Sequence, residues 1–220
     1  MSKDRSQNYS QRYQDYVIRN GKFIGEFEEM YRNSVEVPWH QDQTVNAVFS
    51  DHTVTLLRRL KPKSLLDVGC GLGYMAMRLK CEIPQLSRVV GLEVSETAVV
   101  SASKMFPEIE FFAGTLQTCS PSCEGGGLFD VVISKDVLWY VLDDLAGYLA
   151  ALVSRSCRYV YIAQSFPENR PFLGEDILPD ASGLLHFVEL QGYRVSYFLV
   201  ERDAEYDNRE YAHLLIEIKE

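Results

Sequence analysis

Ser64-Leu65-Leu66-Asp67-Val68-Gly69-Cys70-Gly71-Leu72-Gly73 reads as a short buried strand that turns through three alternating glycines into a helix. Glycine lacks Cβ, so this backbone is free to take positive φ angles and to lie directly against a ligand. The helix that follows aims its free N–H groups at the same place. The spacing is G-x-G-x-G, and Tyr74 stands where a dinucleotide fingerprint has its last glycine. Asp67, at the end of the strand, would repel a pyrophosphate and suits a cationic amino-acid headgroup.

Two further apolar runs end in informative residues. Val89-Val90-Gly91-Leu92-Glu93 closes on a carboxylate twenty positions after Gly73, and Phe129-Asp130-Val131-Val132-Ile133-Ser134 leads into Lys135-Asp136. A carboxylate at a strand end can accept both hydroxyls of a ribose. With the glycine loop, these segments make residues 60–162 resemble the class I S-adenosylmethionine-dependent methyltransferases. The resemblance implies an α/β, Rossmann-like sheet of seven strands in the order 3-2-1-4-5-7-6. That sheet is mostly parallel, with the last strand antiparallel, helices on both faces and an N-terminal helical lid. It further implies a cofactor site at the strand ends. There the backbone of Gly69, Cys70 and Gly71 packs on the methionyl part, Asp67 organises the ammonium, Glu93 holds the ribose and Val94 lies against adenine. Gly114-Thr115-Leu116 closes the adenine side. Many members of the family carry an acid at the position of Thr115, so that contact passes to its hydroxyl or to a backbone carbonyl. Lys135 contributes backbone, since an ammonium beside a sulfonium repels it, and Asp136 steadies that cation or orients the nucleophile.

The 220 residues suffice for one α/β domain with a substantial core. A hydrophobic share of 46% and a charged share of 24% are those of a globular protein. The formal net charge of −9, with no Lys/Arg-rich run, argues against a nucleic-acid acceptor. No apolar run approaches the roughly 20 residues of a membrane span, and the first seven residues lack the apolar stretch of a signal peptide. The five cysteines (Cys70, Cys81, Cys119, Cys123, Cys157) are scattered and odd in number, which suits a reducing, cytoplasmic setting. Cys119-x-x-x-Cys123 has no second Cys/His pair at metal-ligand spacing, so no metal is expected.

Residues 1–60 read as an N-terminal arm and lid, and 61–220 as the methyltransferase domain. Within the arm, residues 1–20 are polar and tyrosine-rich (Tyr9, Tyr13, Tyr16), 23–31 carry helical spacing, 35–41 form an extended turn around Pro38, and 44–60 form an amphipathic helix. Strands are expected at 64–68, 88–93, 109–113, 129–134 and 158–164, with helices over 74–81, 95–104 and 142–153 between them. A proline-bearing loop at 167–179, a helix over 180–190 ended by Gly192 and a hairpin of 195–200 with 211–218 complete the chain. Segment 120–127 reads as loop.

On the acceptor side, Trp39, Trp139 and Tyr140 are the aromatic residues placed to face a ligand. Of the four histidines, His52 and His186 sit on apolar helix faces and His213 lies in the last strand. His40, in the lid turn, is the candidate general base, with lid packing or a cofactor contact as its alternatives. The segment 25–42 is similar to that of small bacterial methyltransferases of the nodulation-protein-S type, which act on sugar-containing or other small polar metabolites. The expected activity is methyl transfer to an oxygen of a small polar acceptor: a sugar, a glycan precursor, a phosphorylated metabolite or a natural product. N-methylation of a small amine or amino sugar, a non-catalytic cofactor-binding protein and a dinucleotide oxidoreductase are the alternatives. A small molecule is the only expected partner, with the protein a monomer or homodimer.

Overall fold

The computed structural model describes residues 10–119, 121, 127–168, 171–203 and 209–218. Tyr9, Cys123 and most of the 120–127 loop lie outside them.

Seven strands form one sheet: β1 (Ser64–Val68), β2 (Arg88–Glu93), β3 (Glu110–Ala113), β4 (Phe129–Lys135), β5 (Ser156–Phe166), β6 (Val195–Asp203) and β7 (Arg209–Glu217). Their spatial order is 3-2-1-4-5-7-6. The first five pair in parallel, and β7 runs antiparallel to both β5 and β6. The expected architecture is therefore the observed one.

Period-two alternation divides the core. Leu66, Val68, Val90, Leu92 and Val132 face α5 (Leu145–Val153) and α6 (Ala181–Leu190). Their neighbours Leu65, Val89, Val131, Ile133 and Tyr161 face α2 (Val48–Leu60) and α3 (Tyr74–Glu82). Helix α4 (Glu96–Met105) is capped by Ser95, whose hydroxyl accepts from Ala98 N–H. Asp144 and Asp180 cap α5 and α6 in the same manner.

The arm departs from expectation in three places. Helix α1 (Phe27–Asn33) starts late, because Lys22-Phe23 pairs with Ile18-Arg19 in a two-residue hairpin. Its turn, Asn20-Gly21, has φ of 53° and 71°, and Asn-Gly is a sequence pattern for such turns. The helix expected over 44–60 begins at Val48, and Gln41–Thr44 forms a separate single turn. The extended segment around Pro38 is instead a tight 3-10 turn, in which Trp39 and His40 have φ of 53° and 48°. His186 is exposed and does not lie on the apolar face of α6.

Candidate active site

Register brings Asp67, Glu93 and Lys135, three of the residues expected at the cofactor site, to the carboxyl ends of β1, β2 and β4. Val68 pairs with Leu92 and Ser134, and the chain then turns as Gly69 and Cys70 both donate N–H to the Leu92 carbonyl (2.8 and 3.2 Å). All three loop glycines have positive φ. At Gly69 the absence of Cβ is also a packing requirement: a Cβ there would lie 2.5 Å from a methyl of Val137. The Cys70 side chain is buried, and burial pushes its thiol up.

Glu93 is 6% exposed and bonded to three backbone amides. One oxygen accepts from Gly71 N–H (2.9 Å), the other from Val94 N–H (2.8 Å) and Ser95 N–H (3.2 Å). Burial raises its pKa against the pull of these three amides. Glu93 thus ties the glycine loop to the end of β2. A carboxylate has about four acceptor positions, so one remains for a further donor. Replacing Glu93 by alanine is expected to weaken cofactor binding by roughly 1–3 kcal/mol, the usual cost of removing a buried hydrogen-bond partner. Calorimetric titration with S-adenosylhomocysteine measures this, and an unchanged affinity would refute a ribose role.

Asp67 lies at the foot of the loop, 3% exposed, and its Oδ2 has no hydrogen-bond partner. Burial is the main cause that lifts its carboxyl to about 7, with Lys135 pulling down and Glu93 pushing up. A buried carboxylate oxygen without a donor fits an incoming ammonium.

Of the residues expected to meet adenine, Val94 is 50% exposed. Leu116 is buried in the sheet core. Thr115 is exposed and spends its hydroxyl locally: it accepts from Gln117 and Thr118 N–H (3.3 Å each) and lies 3.2 Å from Thr118 Oγ1. Gly114 precedes it with φ of 141°.

At the end of β4, Lys135 turns its ammonium over the rings of Phe49 (4.8 Å) and Tyr211 (5.4 Å) and pairs with Asp136 (3.0 Å). Asp136, at φ 57°, also accepts from Tyr211 Oη (2.6 Å) and Ser165 N–H (3.1 Å). The Lys135 charge and these donors hold its carboxyl low despite burial, so it anchors the ends of β4, β5 and β7 and is a weak proton acceptor.

Above the cradle, Trp39 packs among Tyr13, Phe27, Tyr31 and Tyr140 at ring separations of 5.7 to 6.3 Å. The His40 ring stands edge-on to Tyr13 at 5.9 Å. The structure therefore unites Trp39, His40 and Tyr140 in one aromatic cluster with Tyr13. Trp139 points elsewhere, onto Phe166 and Phe172 (5.2 and 4.9 Å). His40 and Asp136 share no recorded contact. His213 is fully buried between Tyr161 Oη (2.5 Å) and Glu201 (2.7 Å), and burial drives its pKa down to about 3. His52 bonds Tyr197 Oη (2.8 Å). His213 is closed to solvent and His52 is half-buried.

Sequence reasoning missed Glu28, Tyr31 and Gln41. Gln41 Oε1 accepts from Leu72 N–H (2.9 Å), and Glu28 binds Ser95 and Thr97. Glu28 and Gln41 pair across 67 and 31 residues, so no local pattern marks them, and Tyr31 enters through Gln41. The 167–179 loop, with β6 and β7, borders a groove of about 430 Å³ that contains Phe166, Phe172, Glu168, Glu175, Arg202 and Glu210. Among the described residues no group of three or more His, Cys, Asp or Glu is placed to hold a metal, and no helix is long and apolar enough to cross a membrane.

Comparison with known proteins agrees with this geometry. Residues 65–157 match the family model described as a methyltransferase domain. The trans-aconitate 2-methyltransferase of Acidovorax sp. (strain JS42) is 29% identical over 126 residues, which are 54% of this chain and 46% of that protein. The matched stretch thus spans less than half of the relative. Among solved structures, the magnesium protoporphyrin IX methyltransferase ChlM of Synechocystis PCC 6803, with bound SAM, superposes with a TM-score of 0.57 at 19% identity. That match covers 94% of this chain and 90% of that one. The N-methyltransferase NodS of Bradyrhizobium japonicum WM9, in complex with S-adenosyl-L-homocysteine, gives 0.59 at 16% identity, covering 84% and 93%. At these identities the structures share the fold.

Proposed function

We propose, since the chain belongs to the class I S-adenosylmethionine-dependent methyltransferases, that its cradle binds S-adenosylmethionine and that it methylates a small polar acceptor, on oxygen. The observation that carries the cofactor reading is the buried, unpartnered Oδ2 of Asp67 beneath a positive-φ glycine loop. Asp67 would hold the ammonium, Glu93 a ribose hydroxyl at its remaining acceptor position, Val94 the adenine with the buried Leu116 behind it, and the backbone of Gly69, Cys70 and Gly71 the methionyl chain. Bound there, S-adenosylmethionine supplies a methyl group activated by its sulfonium.

The protein's own part is alignment and the removal of one proton. Asp136 is held by Lys135, Tyr211 and Ser165, so its role is to fix the strand ends beside the acceptor. His40 is the base in this reading, because its imidazole stands beside Tyr13 in the arm and histidine is the side chain most often used as a general base. Trp39 and Tyr140 then wall the acceptor, and Trp139 supports the 167–179 loop. Replacing His40 by alanine should lower kcat by about 10²- to 10⁴-fold, the usual contribution of a general base, with S-adenosylhomocysteine affinity nearly intact. Full turnover would remove His40 as the base.

The groove at the ends of β5, β6 and β7 favours a second reading. Glu168, Glu175, Asp180 and Glu210 face a single guanidinium, Arg202, among its described lining residues, which suits a cationic amine and therefore N-methylation. Labelled methyl transfer across a panel of sugars, carboxylic acids and amines separates the two readings. Titration with S-adenosylhomocysteine and with NAD(H) tests the cofactor itself: binding of NAD(H) alone would overturn the methyltransferase reading, and binding of neither would leave a protein that does not use this cofactor.

A further inference from the structure

The lid meets the cradle at two polar points. From α1, Glu28 accepts from Ser95 Oγ (2.7 Å), Thr97 N–H (3.1 Å) and Thr97 Oγ1 (2.5 Å), at the N-terminus of α4. Arg32 pairs with it from the next turn (2.8 Å). The Thr97 hydroxyl is the chief cause that holds its carboxyl down to about 2, so this anchor stays charged at any working pH. From the single turn that follows His40, Gln41 Oε1 takes Leu72 N–H, and its Nε2 donates to Tyr31 Oη (3.2 Å), which returns to α1.

Glu93 joins these two points underneath, since it binds Gly71 N–H on one side and Val94 and Ser95 N–H on the other. Glu28, Ser95, Glu93, the Gly71-Leu72 peptide, Gln41 and Tyr31 close a circuit around the cradle. Gln41 lies directly over the loop: a Cβ added to Gly71 would sit 2.5 Å from its Oε1. Just before it come Trp39 and His40, two consecutive non-glycine residues in the left-handed region, where Cβ crowds the following carbonyl. Such an outlier persists only where packing over-determines it, and here the Trp39 ring is packed against four others.

We propose, on the premise that the cradle takes S-adenosylmethionine, that Gln41 is the gate of that site and Glu28 the anchor that makes it reclose. A ligand that lies on the Gly71 backbone meets the Gln41 amide first, so entry requires Gln41 to release Leu72 N–H. The Trp39-His40 pair absorbs the rotation by relaxing toward the right-handed region. Glu28 keeps α1 on α4 meanwhile, so that the gate returns. Both act as positioning residues, away from the reacting atoms.

Amide exchange on the full chain without cofactor reads the circuit directly, because Leu72 and Thr97 N–H are each covered by a lid side chain. Gln41→Ala should speed exchange at Leu72 by about tenfold and leave Thr97 as in wild type. Glu28→Ala should speed both by a similar factor, since loss of the anchor frees the gate. If Glu28→Ala speeds Thr97 alone, the two contacts are independent and the anchor role is wrong. Stopped-flow Trp fluorescence with S-adenosylhomocysteine then reads the gate. Gln41→Ala should raise the association rate by about 3- to 10-fold, the worth of one hydrogen bond, and Glu28→Ala should raise the dissociation rate by at least as much. Glu28→Gln, which keeps one acceptor, should fall between. Rates equal to wild type in both alanine variants would overturn the gate. A wild type that binds no S-adenosylhomocysteine would overturn the cofactor premise instead, and the exchange rates would still decide whether the latch exists.

Discussion

Substituting valine for Gly71 is expected to raise the dissociation constant for S-adenosylhomocysteine by more than about 100-fold, with only a modest loss of stability. Two effects combine. At φ of 56° a β-branched residue is held in the left-handed region at a cost of about 1–2 kcal/mol, which for a chain of this size lowers Tm by about 2–8 °C. The larger effect is local: the new side chain enters the face on which the ligand is expected to lie and displaces the Gln41 amide. Gly192→Val is the control, because Gly192 has φ of 83° with nothing within 4 Å of its Cβ. It should show a comparable drop in Tm and wild-type affinity. Titration calorimetry and thermal unfolding of both variants decide the matter. An affinity for Gly71→Val within tenfold of wild type would mean that the ligand does not lie on this loop.

The loop was legible from the start because its chemistry is local. Alternating glycines, an apolar approach and a terminal acid are adjacent in sequence, and the same holds for the strand ending at Glu93. Parallel pairing followed from the alternation of strands with helices and strand order from the resemblance, and the antiparallel pairing of β7 matched it. The lid was only partly legible. Asn20-Gly21 announced a hairpin turn, but the helical spacing of Phe23, Phe27 and Met30 masked it. The left-handed pair at Trp39-His40 has no sequence signature, since it is imposed by packing of the Trp39 ring. Glu28 and Gln41 escaped notice because their partners are distant in sequence: Glu28 bonds residues 67 and 69 positions away and Gln41 one 31 away. The split between Trp139 and Tyr140 depends on a 3-10 turn (Leu138–Tyr140) that points consecutive rings to opposite sides.

Asp67→Asn is expected to do two opposite things, and the pair of results is diagnostic. Asp67 binds its proton more tightly in the folded chain, with its carboxyl lifted from 3.8 to about 7 by burial. Stability therefore falls as pH rises from about 4 to about 7 and is level above that, by an amount of order 4 kcal/mol as an upper bound. Asparagine has the same shape and no charge to bury, so the variant should be more stable than wild type at pH 8 by about 2–4 kcal/mol and should match it near pH 4. Binding should move the other way. If the unpartnered Oδ2 is the acceptor for the cofactor's ammonium, the amide removes that charge and the affinity falls by about 10²-fold or more. In wild type the affinity should climb with pH up to about 7, as Asp67 ionises, and decline above about 8, where an α-amino group loses its proton. In Asp67→Asn the acid limb of that profile should vanish. Urea unfolding at pH 4 and pH 8 with titrations from pH 5.5 to 9 measures all of this. A variant that is no more stable at pH 8 would show that Asp67 is not strained by burial. One that is stabilised yet binds S-adenosylhomocysteine as well as wild type would show that the strain serves some purpose other than holding the ammonium.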